Sequence, residues 1–457
     1  MLAMLKSINP ANQELIAEYP ETTPEELDNR LRMSQEAFLI WRETAFADRG
    51  QRFVRLAEIL RAKQSELAEL MTREMGKPIA QAEAEIEKCG RVCEYYAENG
   101  AEHLARKTIA TGAADSYVRY DPLGTILAIM PWNFPFWQAF RAAVPAIAGG
   151  NVMVLKHAGN VCGVALEIEK LFVQAEFPVG VFSTVLLSRK RTEELIESPA
   201  IQGVTLTGSE RAGRAVAAAA GRTIKPSVLE LGGSDPFIVL EDADLANVVP
   251  SAVKARVQNS GQSCIAAKRF LVHQSLAKVF EEAFVREMQQ LTVGDPLRRE
   301  TDVGPLARED LREQLHEQLR KTVKLGGRLC TGGQIIEGKG FFYQPTVLAD
   351  VAPGMPAFDE ETFGPVAAIV PFRDLGEAVR LANLSNYGLG ASLWTSNRAA
   401  AEEVVPRIEA GAVFINEIVK SDPRLPFGGI KHSGYGRELS REGMLAFLNP
   451  KTIWIGE

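Results

Sequence analysis

Apolar and polar positions change their spacing near residue 104, and the change separates two styles of folding. Before it, apolar residues recur at three- and four-residue intervals. "ETTPEELDNRLRMSQEAFLIWRE" opens with Thr23, Pro24 and Glu26, an N-cap, a first-turn proline and a capping-box partner, which predict a helix. "QRFVRLAEILRAKQSELAELMTREM" (51–75) and "IAQAEAEIEKCGRVCEYYAENG" (79–100) continue the helical period. After it, "SYVRYDP" and "GTILAIM" predict short strands around a turn at Pro122–Gly124. From Ala139 strands and helices alternate: "NVMVLK", "CGVALEIEKLFVQA", "GVFSTVLL", a short helix, "GVTLT", then "RAGRAVAAAAG". Strands separated by helices of this length predict right-handed crossovers and a parallel sheet of dinucleotide-binding type. Beyond Glu230 the pattern repeats in kind: strand "PFIVL", a helix from Leu245 to about Gln258, strand "RFLVH", helix "LAKVFEEAFVREMQQL", and strands beyond "YQPTVL". We expect a second α/β domain, with the boundary near "ELGGSDP". The terminal "KTIWIG" reads as a strand attached to neither block, one that completes a sheet edge of this or a second subunit.

Composition narrows the classes. A chain of 457 residues can bury two or more cores, and its net charge of −7 with no basic arm argues against a nucleic-acid partner. The N-terminal stretch breaks into a turn at Asn9–Pro10, and no run of eighteen apolar residues occurs, so no leader and no membrane partner are expected. Five scattered cysteines form no disulfide framework and fit a reducing, cytoplasmic compartment. Cys89 and Cys93 stand four apart in a helical run without further ligands, and read as packing residues; no metal site is expected.

Four motifs carry chemistry, each with an ordinary alternative. In "NSGQSCIAAKR", Cys264 lies in a small, polar turn with Lys268 and Arg269 nearby, which could lower a thiol pKa; the alternative is a small core residue. "LTGSERAGRAV" puts Gly208 and Ser209 between a strand and a helix, where backbone amides could meet a phosphate or where serine simply caps. "VLELGGSD" ends a strand-like run on Glu230, pointing into a crevice or merely preceding a turn. "IMPWNFPFW" encloses one amide, Asn133, among prolines and aromatics: a donor toward developing negative charge, or a packing cluster whose amide satisfies backbone groups. Together a thiol nucleophile, an amide, a carboxylate base and a nucleotide-binding sheet are the parts that aldehyde oxidation through a thioester requires.

The order and spacing of "PWNFP" (131–135), "TGS" (207–209), "ELGGSDP" (230–236), "GQSC" (261–264), "ETFGPV" (361–366) and "PFGGIKHSGYGRE" (426–438) resemble the aldehyde dehydrogenase superfamily from about residue 5 onward. Within it, the short N-terminus, "VLKHAGN" and the arginine of "FWQAFR" look most like bacterial succinate semialdehyde dehydrogenases. The resemblance implies an α/β fold of two Rossmann-type domains and a small β arm: 1–103 and 123–231 bind the dinucleotide, 232–425 form the catalytic domain, and 104–122 with 440–457 form the oligomerisation arm of a homodimer or homotetramer. It implies Cys264 as nucleophile, Asn133 and the Cys264 N–H as oxyanion donors, and Glu230 as general base. It also implies cofactor contacts from Met130, Pro131, Trp132, Lys156, Thr207, Gly208, Ser209, Leu231, Glu361 and Phe363.

Two departures bear on specificity. Many NAD-preferring members carry a glutamate three residues after the lysine of "VLKHAGN", where this chain has Gly159; with Ser188, Arg189, Lys190 and Arg191 in the next loop, a 2′-phosphate is accommodated. NADP is therefore expected in preference to NAD, with NAD also accepted; a solvated basic turn is the alternative. On the substrate side, Arg141, with Trp137, Ser263 and Ser421, is expected to hold the distal carboxylate of succinate semialdehyde, the alternative for Arg141 being a structural salt bridge. Gln258 stands where some relatives have a second arginine, which leaves a glutarate semialdehyde or broad-specificity enzyme as the competing reading. Ile265 and Ala266 follow the nucleophile, so no disulfide is expected in that loop.

Overall fold

The first helix begins where its cap dictates. Thr23 accepts from the Glu26 amide at 3.1 Å while Glu26 returns the bond to the Thr23 amide at 2.9 Å, and the helix runs Pro24–Trp41. The computed structural model describes residues 4–457. The helical block 51–75 is two helices, Phe46–Ala62 and Gln64–Met75, broken at Lys63, whose ammonium reaches the Glu167 carboxylate at 2.7 Å. A long helix, Ile79–His103, follows, with Cys89 and Cys93 fully buried on its core face. Met4–Ile8 and Leu15–Pro20 form an antiparallel hairpin on either side of the expected turn.

Two larger sheets organise the rest. The first has six strands in the order Gly434–Tyr435, Ser227–Glu230, Ile201–Thr207, Thr125–Met130, Val152–His157, Phe182–Val185. All pairs are parallel except the first, where a segment from near the C-terminus adds antiparallel to the strand that ends on Glu230. The chain leaves this sheet at Glu230 and enters a seven-stranded one at Asp235, with Asp235–Val239 between Ala267–His273 and Gly390–Trp394. That sheet too is parallel except for its edge strand Arg328–Thr331. The terminal strand, Leu448–Ile455, pairs antiparallel along its whole length with Asp115–Pro122 of the same chain, in a three-stranded sheet apart from the other two. One side of this strand is thus paired within the chain, and its other side remains a sheet edge.

Between the first sheet and the N-terminal helices lies the helix Pro135–Ala148, every residue of which is buried. A helix apolar all round belongs in a core. Its two conspicuous polar residues, Gln138 and Arg141, need internal partners, and both find them at the site below.

Candidate active site

The loop that carries Cys264 is held in an uncommon shape. Asn259, Ser260 and Gly261 have φ of 54°, 56° and 75°, three successive left-handed residues after the helix Leu245–Val257. At Gly261 a Cβ would stand 2.3 Å from the Gly364 carbonyl oxygen, so glycine is required twice over. Buried and half-buried partners clamp this turn. Gln81 accepts from the Asn259 amide at 2.7 Å, Arg256 donates to the Gly261 carbonyl at 2.8 Å, and Ser260 accepts from the Gly304 amide at 2.9 Å. Lys268 donates to the carbonyls of Ser263 and Cys264 at 2.9 and 2.7 Å. Strain of this kind persists only where its surroundings over-determine it, and clusters at functional sites.

The thiol so placed faces two cavities. One, of about 630 Å³, is walled by Met130, Pro131, Trp132, Asn133, Lys156, Thr207, Gly208, Ser209, Leu231, Glu361 and Phe363 as well as Cys264. The other, of about 550 Å³, is walled by Trp137, Arg141, Gln258, Ser263 and Ser421, again with Cys264. Most of the residues expected for the cofactor thus line one cavity and those expected for the substrate the other, with Cys264 on both walls. Gly159 and Ser188 stand outside the first wall, where their neighbours Ala158 and Arg189 take the place. The Ser188 amide is held by the Glu21 carboxylate, so a carboxylate already binds the backbone of the residue expected to meet a phosphate.

Asn133 is fixed by both ends of its amide: Nδ2 donates to the Gln262 carbonyl at 3.0 Å, and Oδ1 accepts from Gln138 at 3.1 Å. The second N–H on Nδ2 remains for another acceptor. The Cys264 backbone N–H has no acceptor among the described residues. Burial pushes the Cys264 thiol up to about 11, against the opposing pull of Arg141 and Lys268. This corrects the sequence expectation of a lowered thiol: Arg269 turns away to the carbonyls of Ser234, Leu381 and Ala382, and desolvation outweighs the cations that remain.

Glu230 is not on either cavity wall. Its carboxyl is buried with neither oxygen hydrogen-bonded, and Oε1 lies 2.5 Å from where a Cβ on Gly428 would be. Burial, and next the Glu438 carboxylate, raise it well above the ordinary carboxyl range. An unpartnered buried acid is costly and marks a group kept for chemistry. Ser209 caps the helix Glu210–Arg222 through the Ala212 amide, so its ordinary role is present alongside its place on the cavity wall.

Arg141 departs from the free clamp expected of it. Nε forms an ion pair with buried Glu438, Nη2 donates to Thr207 at 3.0 Å, and the guanidinium lies 4.5 Å over the Phe427 ring. Its charge is thus already matched. Two residues that sequence reasoning missed stand on the long helix. Glu85 pairs with buried Lys77 and accepts from the amides of Phe136 and Trp137 at 3.0 and 2.9 Å, fixing the start of the helix after Asn133. Lys88 lines the second cavity, donates to Ser421 at 2.6 Å and sits 4.0 Å from the Trp137 ring centre. With Gln81 they recur at i, i+4 and i+7 on one helical face, the only signal that could have found them.

Residues 3–453 match the model of the Aldehyde dehydrogenase family. The chain belongs to this family. Among curated relatives of this aldehyde dehydrogenase, a protein named probable succinate-semialdehyde dehydrogenase [NADP(+)] from Synechocystis is 50% identical over 451 residues, 99% of each chain. A succinate semialdehyde dehydrogenase [NAD(P)+] of Escherichia coli is 47% identical, over 98% of this chain and 97% of its own. Among solved structures, the succinic semialdehyde dehydrogenase of Streptococcus pyogenes in complex with NADP+ superposes with a TM-score of 0.97 at 35% identity, covering 99% of this chain and all of its own. This aldehyde dehydrogenase shares their α/β architecture, and no helix among its described residues is long and apolar enough to cross a membrane.

Proposed function

We propose that this enzyme oxidises succinate semialdehyde to succinate, with NADP+ preferred over NAD+ as hydride acceptor. The observation that carries the reading is the placing of one thiol between a nucleotide-sized cavity and a cavity with cationic side chains on its wall. The names of the relatives support it.

The first cavity fits a phosphorylated dinucleotide. Lys156 and Arg189 both stand on its wall without an ion-pair partner among the described residues, and a Cβ on Gly159 would meet only Leu5, at 3.4 Å. Charge is available and no carboxylate occupies position 159. Bound there, the dinucleotide supplies the hydride acceptor. The protein supplies the rest. Cys264, as thiolate, adds to the aldehyde carbon, and the new C–O⁻ is held by the Asn133 Nδ2–H and the Cys264 N–H. Loss of hydride leaves a thioester on Cys264. Glu230, once turned from its buried position and ionised, takes a proton from water, whose oxygen attacks the thioester; the carboxylic acid leaves and Cys264 regains its proton. The balance is aldehyde, oxidised cofactor and water to acid, reduced cofactor and one proton.

In this reading residues 1–103 and 123–231 hold the dinucleotide, 232–425 carry the nucleophile, and 104–122 with 440–457 join copies of the chain into a homodimer or homotetramer in the cytoplasm. A broad-specificity or glutarate semialdehyde enzyme is the second reading, favoured by the pairing of Arg141 with Glu438.

Initial rates with succinate semialdehyde and with butanal, each with NADP+ and NAD+, test both halves. We expect the higher kcat/KM for succinate semialdehyde with NADP+, and a shift toward NAD+ in Gly159→Glu. Equal efficiency on butanal would remove the substrate assignment, and faster NAD+ reduction would remove the cofactor preference.

A further inference from the structure

Four cationic side chains of unequal standing line the second cavity. Arg141 is ion-paired with Glu438. Lys254 and Lys420 are exposed, where water and salt screen their charge, and Lys420 is also paired with Glu417 at 2.8 Å. Lys88 differs from all three. No carboxylate lies within 4 Å of it among the described residues, its ammonium is drawn over the face of Trp137, and its one hydrogen bond runs to the Ser421 hydroxyl.

We infer that Lys88, with Ser421, anchors the distal carboxylate of the substrate. The inference rests on the semialdehyde reading above and deepens it. An ammonium has three N–H donors, and Ser421 accepts only one, so the others are available to a carboxylate. Because the bond to Lys88 occupies a lone pair on Ser421 Oγ, the hydroxyl proton must point elsewhere and can donate to the same carboxylate. Trp137 closes one side of the ammonium with an apolar face, which strengthens an ion pair made there relative to one in open water. The environment is consistent: burial and the nearby Arg141 lower the Lys88 pKa to about 8, the direction that an anion would reverse. The ordinary alternative, a lysine that merely packs over a tryptophan, needs no vacant donors facing a cavity shared with Cys264.

The test compares KM and kcat of Lys88→Met, Lys88→Arg and Lys254→Met on succinate semialdehyde and on butanal, at saturating NADP+. Loss of a charged hydrogen-bonded contact predicts a rise in the succinate semialdehyde KM of roughly 10- to 100-fold in Lys88→Met. The kcat and the butanal KM should hold, Lys88→Arg should recover most of the loss, and Lys254→Met should match the unsubstituted enzyme. Equal damage on both aldehydes would show a packing role and overturn the inference, as would an unchanged KM or an effect confined to Lys254→Met. Lys88→Gln, which can keep the bond to Ser421, gives the same comparison if methionine disturbs folding. If the unsubstituted enzyme itself has no preference for succinate semialdehyde over butanal, the proposed function falls and the anchor with it; a preference that survives Lys88→Met removes the anchor alone.

Discussion

A thiol shielded from bulk water titrates late. With Cys264 pushed up to about 11, little of it is thiolate at neutral pH, so alkylation by iodoacetamide in the absence of cofactor should accelerate about tenfold per pH unit between pH 7 and 10. A rate that levels off below pH 8 would show that Arg141 and Lys268 prevail over burial. Arg141 itself is a poor residue to truncate as a test of substrate binding. Its removal leaves Glu438 buried without its counter-ion, a defect of about 3–5 kcal/mol that would mask any effect on the substrate. Lys88 has no such partner, which makes its substitution interpretable.

Among the elements, the left-handed turn before the nucleophile is the most exacting. Gly261→Ala combines a backbone conformation disfavoured for L-residues with a clash against a main-chain oxygen that cannot swing aside. We expect a loss of more than about 2 kcal/mol, read as a lower Tm, together with a fall in kcat; an unchanged Tm would mean the loop relaxes freely. Elements with a strong period were legible in the chain itself: the capped helix from Pro24, the alternating strands of the first sheet, and the helix that ends before Gln258. The terminal strand was legible as a strand, but its partner, Asp115–Pro122, lies more than three hundred residues away and had no local mark. Site residues grouped in short motifs, such as Asn133 and Cys264, were legible in the same way. Lys88 was not, because a lysine in a long charged helix looks like any solvated one until Trp137 and Ser421 close around it. The depressed thiol expected from Lys268 and Arg269 failed for a related reason: proximity along the chain says nothing of where a side chain points.

At the scale of the whole molecule, the three-stranded sheet leaves Leu448–Ile455 as an edge strand, with Trp454 60% and Ile455 48% exposed. An edge that ends in exposed apolar side chains is normally covered. If it is the seam between copies, Trp454→Lys should lower the mass measured by light scattering after size-exclusion chromatography while the monomer keeps its helical signal. An unchanged mass would place the seam elsewhere.

The two cavities that meet at Cys264 have a consequence for the traffic of a working enzyme. If the dinucleotide takes one cavity and the aldehyde the other, as proposed, each has its own berth beside the sulfur. The sulfur is then the one point the two berths have to share in time, since only one carbon can be attached to it at once.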